Sequence, residues 1–220
     1  MSIRVLEQPM DLFISGLHTW VEGHWMGLYK AFQVVQTQSG AHKYRPPLQL
    51  DIPEPPFRLK KSGMQVARWQ ETEKSLSHSL GWVLRFPDAI ERVRSFGQTH
   101  LRVQVPDNAW LGMFYPIDKW DDRCMITLRL AGNIPAGQVK MYVRLGEVLS
   151  FGQVHFHGDR WGVTGLPAGL PATFFAMGKI EGEWQFGELS IQRVQNQRLT
   201  MEMKPVSESD LAQCLQQIMT

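Results

Sequence analysis

The hydrophobic period of the chain changes near residue 100, and that change constrains the fold more than any other feature. Beyond it, apolar and polar residues alternate: Leu101, Val103 and Val105, then Cys124, Ile126, Leu128 and Leu130, then Met141, Val143 and Leu145. The alternation resumes at Val154 and Phe156, at Leu189 and Ile191, and at Leu199, Met201 and Met203. A period of two sends successive side chains to opposite faces of a strand, so each run has one buried and one wet face. Ala131-Gly132-Asn133 and Gly158-Asp159 are turn sequences between such runs. One-sided alternation favours antiparallel pairing. The reading is a strand-rich part over 100–204. Ser207 and Asp210 then resemble a capping box that opens a C-terminal helix over 207–220.

Before residue 100 the spacing is of threes and fours. Phe13, Leu17, Trp20, Val21, Leu28, Phe32 and Val35 predict an amphipathic helix over 10–36, started by Pro9 and Asp11 and weakened by Gly16, Gly23 and Gly27. Val66, Trp69, Leu76, Leu80, Val83 and Leu84 predict a second helix over 63–86. Ile90, Val93 and Phe96 predict a short third one that stops at Gly97. Between the first two, residues 44–56 carry Pro46, Pro47, Pro53, Pro55 and Pro56, and read as an extended strap. Helices followed by strands give an α+β class: N-terminal helices (10–96) packed on a curved, mostly antiparallel sheet of about six to eight strands, with a short C-terminal helix. The alternative is a β-sandwich or small barrel with a helical N-terminal extension. The expectation is a single domain, 1–220.

Composition excludes several classes. With 220 residues, 43% hydrophobic and 20% charged, the chain is long and apolar enough to bury a core. Cys124 and Cys214 are its only cysteines, too few for a four-cysteine zinc or iron–sulfur site. No run approaches the roughly 18 apolar residues of a membrane-spanning helix, and the N-terminus lacks the apolar stretch of a signal peptide. A cytoplasmic location is expected. No phosphate-binding glycine loop and no Gly-x-Ser-x-Gly elbow occurs, so no cofactor and no catalytic residue is assigned.

Three groups remain as candidate sites. Eight tryptophans exceed ordinary usage. Trp20 and Trp25 cannot share one helical stripe, so a second contact surface would include Trp20, Trp25, Met26 and Tyr29. The net charge of +2 conceals a basic segment, 57–102, with nine Lys/Arg against four Asp/Glu. Within it Lys60, Lys61, Arg85, Arg92 and Arg94 are candidates for phosphate contact. His155 and His157, two apart in a strand run, share a face and could approach one metal, although no glutamate follows at ligand spacing.

The leading functional expectation is a non-enzymatic binding or assembly protein, acting through an aromatic-rich surface in a multiprotein complex. Its partner would be another protein or a second copy of the chain. The alternatives are a carrier of a small apolar ligand, a nucleic-acid-contacting subunit using 57–102, and a metal-dependent enzyme using His155 and His157.

Overall fold

The computed structural model describes residues 2–21, 24–35, 48–53, 64–70, 81–85, 90–95, 97–105, 110–117, 122–146, 148 and 150–219. In chain order the elements are β1 (Ser2–Leu6), α1 (Pro9–Ile14), β2 (Trp20–Val21), β3 (His24–Val35), β4 (Leu48–Pro53), β5 (Gln65–Gln70), β6 (Gly81–Arg85), β7 (Ile90–Ser95), β8 (Gln98–Val105) and β9 (Trp110–Pro116). There follow β10 (Arg123–Leu130), β11 (Val139–Leu145), β12 (Ser150–His157), β13 (Arg160–Pro167), β14 (Ala172–Ile180), β15 (Glu183–Ile191), β16 (Gln197–Met201), β17 (Lys204–Val206) and α2 (Glu208–Met219). They form two compact units, one of residues 1–7 with 26–116 and one of 8–25 with 117–220.

In the first unit, β1, β3, β9, β5 and β6 pair in that order, all antiparallel. A three-stranded sheet, β4-β8-β7, is separate. Phe32, Val66, Leu111 and Met113 from the larger sheet join Ile52, Leu101 and Val103 from the smaller in one core.

The second unit is built on an eight-stranded sheet in the order β16-β10-β13-β12-β11-β14-β15-β17. Its two end strands, β16 and β17, are consecutive in the chain, so the sheet curls until its ends are joined by Glu202 and Met203. β16 runs parallel to β10, and β17 runs antiparallel to β15. Inside the curl lie Ile126, Leu128, Met141, Val143, Leu145, Val154, Val163 and Phe174, the alternate residues of their strands. The outer side of β12, β11, β14 and β15 carries Phe151, Tyr142, Phe175 and Phe186, packed against Phe13 of α1 and Leu211 and Ile218 of α2. α2 begins as the sequence reading expects: the Asp210 amide donates to Ser207 Oγ at 3.1 Å.

The α+β expectation is overturned in the first half of the chain. The protein is mostly β, and among the described residues the only N-terminal helix is the six-residue α1. Of the expected helix 10–36 only 10–14, within α1, are helical; 15–19 belong to no helix or strand, and the remaining described residues form β2 and β3. The reason is two-sided burial. Trp25, Met26, Gly27 and Leu28 are buried in succession, and a register shift between Leu28 and Lys30 breaks the alternation. Apolar residues at threes and fours then arise on a strand. Gly27 serves sheet packing: a Cβ there would lie 2.2 Å from the Tyr115 ring. Within the expected helix 63–86, the described residues 65–70 and 81–85 are β5 and β6, where Trp69 and Trp82 face each other across the pair, 5.3 Å between ring centroids; 71–80, with Leu76 and Leu80, lie outside the described residues. Aromatic and β-branched residues favour that pleated surface. Gly97, read as a helix stop, is instead the positive-φ residue of the β7–β8 hairpin (φ 77°). Residues 48–53 of the strap form β4.

Candidate functional site

One open face of the second unit gathers chemistry from three strands. β12 and β13 are joined by the two-residue turn Gly158-Asp159, which fixes their register: His157 stands opposite Arg160, and His155 opposite Gly162. Gly162 in turn faces Thr127 of β10, and Thr127 faces Arg198 of β16. The row His155–Gly162–Thr127–Arg198 therefore runs across four strands on the outer side of the curled sheet. Gly162 has no heavy atom within 4 Å of where a Cβ would sit. Its missing side chain is the low point of a groove of about 320 Å³. The groove is lined by Trp25, Met125, Thr127, Gln153, His155, His157, Arg160 and Thr164, among others.

Trp25 borders the groove from the inner side of the sheet. Its indole Nε1 donates to the Thr164 carbonyl at 3.2 Å, and the ring occupies the space above Gly152, where a Cβ would lie 2.4 Å from it. Trp25 is only 3% exposed, so most of its surface is packed into the core. Near the hairpin end, Arg160 and Arg129 both grip Asp159. Arg160 Nε donates to Oδ1 at 2.8 Å and Arg129 Nη2 to Oδ2 at 2.8 Å. The Arg160 hydrogen bond, then the charges of both guanidinium groups, hold the Asp159 carboxyl below its ordinary range. Two cations on one carboxylate leave this end of the groove positive.

His155 and His157 have ring centroids 6.4 Å apart. Partial burial, then the neighbouring His157, push the His155 pKa below its ordinary value. Its neutral form is thereby favoured. Among the described residues no group of three His, Cys, Asp or Glu side chains converges as a metal site, so the two imidazoles stand there as a pair.

The other candidate residues fall elsewhere. Met26 is buried, and Tyr29 is half-buried with its hydroxyl donating to the Pro53 carbonyl at 3.0 Å, both in the first unit. Trp20 pairs with Trp25 through the backbone of β2 and β3, and its side chain is outside the described residues. Arg92 and Arg94 are exposed on β7. Arg85 lies in β6 with its side chain undescribed, and Lys60 and Lys61 are outside the described residues. Nearby, Arg102 of the same basic segment is committed to Asp51 by two hydrogen bonds of 2.7 and 2.9 Å. Among the described residues no helix is long and apolar enough to cross a membrane.

The structure thus unites residues read separately in the sequence, Trp25 with His155 and His157, and adds Gly162, Thr127, Gln153 and Arg160. The addition of Gly162 was latent in the chain. A two-residue turn at Gly158-Asp159 counts His155 onto Gly162 directly. No protein-family model and no curated protein matches the chain.

Proposed function

We propose that the chain is a non-enzymatic binding protein that docks a protein partner at the groove over Gly162. The observation that supports this is the groove itself. It has an empty glycine floor, with the buried Trp25 at its border. Gln153, His155, His157 and Thr127 line it with side-chain donors and acceptors that form no hydrogen bond or ion pair with another described residue. A concave surface with a few convergent polar groups is the general form of a recognition site. Trp25 acts here as a fixed border, since its burial holds the ring in place.

Gly162→Leu tests the reading. The new side chain projects into open space on a strand position without positive φ, so thermal stability changes little while the groove is filled. Proteins retained by the tagged wild-type chain from its native cells and lost with Gly162→Leu would support the proposal. An unchanged set of retained proteins would overturn it.

A further inference from the structure

The open face of the second unit extends beyond the groove, and its charge is one-sided. The register lays two neighbouring rows across β12, β13, β10 and β16. One is His155, Gly162, Thr127 and Arg198. In the other, His157 stands opposite Arg160, and Arg129 opposite Thr200. Leu128 faces Trp161, which sets Arg129 opposite Arg160 and completes that row. The alternate residues of these strands, among them Ile126, Leu128, Val154, Trp161, Val163 and Met201, fill the inside of the curl, so both rows are turned to solvent. His155, His157, Arg129 and Arg198 are exposed, and Arg160 is half-buried. Neither row contains an acid. The carboxylate at their end is Asp159, in the turn between β12 and β13.

Asp159 shows what these guanidinium groups take, and the two of them do not use themselves up on it. Arg160 commits Nε and Nη2 to its oxygens, but Arg129 donates only from Nη2. Arg198 forms no hydrogen bond or ion pair with another described residue. Arg129 and Arg198 stand diagonally on neighbouring strands. Strands lie about 4.8 Å apart and alternate residues about 6.7 Å apart, so the diagonal is roughly 8 Å. Alternate side chains of an extended chain repeat at nearly that step, and a planar guanidinium fork matches a carboxylate. The rows hold no aromatic ring besides the imidazoles, and Trp25 is buried, so they offer the bases of a nucleic-acid strand nothing to stack on. We propose that the partner docked over Gly162 presents an extended acidic segment, its carboxylates received by Arg129 and Arg198 with Arg160, His155 and His157 alongside. This rests on reading the groove as a docking site and adds the chemistry of what docks there.

The test titrates acetylated hexaglutamate amide into the ¹⁵N-labelled chain, with hexaglutamine amide and hexathymidylate as comparison probes. The amide signals of Thr127, Gly162 and Arg198 should shift and saturate with hexaglutamate and stay in place with hexaglutamine. Arg129→Gln and Arg198→Gln should each weaken the affinity about three- to five-fold, the worth of one exposed ion pair. Lys140→Gln removes the same charge from an exposed position on β11 and should leave the affinity unchanged. Thermal unfolding confirms that each variant is folded. No saturating shift at millimolar hexaglutamate would overturn the proposal, as would an equal loss of affinity in Lys140→Gln. Tighter binding of hexathymidylate would overturn it in favour of a nucleic acid. The retained proteins in the Gly162→Leu comparison separate this proposal from the reading beneath it. If they are lost while hexaglutamate fails to bind, the docking site stands and its acidic partner falls. If they are unchanged while hexaglutamate binds through Arg129 and Arg198, the acid-binding face stands and the docking reading falls.

Discussion

The outer side of the curled sheet has two halves that differ in what covers them. Over β12, β11, β14 and β15 lies an aromatic stack. Tyr142 is parallel to Phe151 and Phe175 at 5.4 and 5.3 Å, with Phe13 meeting all three edge-on. α1 and α2 close over it. Over β10, β13 and β12 there is no helix among the described residues, and the sheet presents imidazoles, hydroxyls and a bare glycine. The same strand, β12, serves both: Phe151 at its start belongs to the covered half, and Gln153, His155 and His157 to the open one. Large rings recruited helices, and small or polar side chains left the surface free. The covered half therefore holds stability, and the open half is where substitution can be tolerated.

The sharpest break of that contrast is Phe175→Ala. The ring is wholly buried and touches three other rings, so its loss should cost about 3–5 kcal/mol. Denaturant unfolding reads this directly, and a cost below about 1 kcal/mol would mean that the stack is not what holds the helices down. Ser207→Ala comes next. Ser207 Oγ accepts from the Asp210 amide, and removing that cap should cost about 1 kcal/mol, fraying α2 over the covered half. Amide exchange at the first turn of α2 measures it. In the open half the largest effect should be on binding, through the Gly162→Leu substitution described above. The smallest change concerns protonation. A folded-state pKa held below the unfolded value means the folded protein binds fewer protons between the two. His155 thus contributes stability that is present above its unfolded pKa and lost as pH falls through that range. Burial is the larger cause and His157 the lesser, so His157→Asn should raise the His155 midpoint only part of the way back. An NMR titration that finds it unmoved would remove the coupling between the rings.

What the sequence made legible follows from how many faces of each element are buried. From β10 to β16 successive side chains alternate between the inside of the curl and its outer side, and the alternation of Met141, Val143 and Leu145 with Lys140, Tyr142 and Arg144 shows it plainly. β3 hid because it is apolar on both sides across Trp25–Leu28 and carries a bulge, so its pattern imitates a helix. The site divides the same way. His155 and His157 on one face, and Gly162 opposite His155, follow from period and turn length alone. Trp25 did not, because its place in the groove depends on a contact with Thr164, 139 residues distant in the chain.

The bent pair β16–β17 sets the order in which the second unit can be finished. β10 is the first strand of the eight-stranded sheet to be made, and its outer edge stays open until Gln197–Met201 arrives to run beside it. β15 waits likewise for Lys204–Val206. The β10 edge is thus left unpaired while β11 to β15 are made, the condition under which β proteins join one another wrongly. Pairing β16 with β10 closes a long stretch of chain, and such distant pairings slow folding.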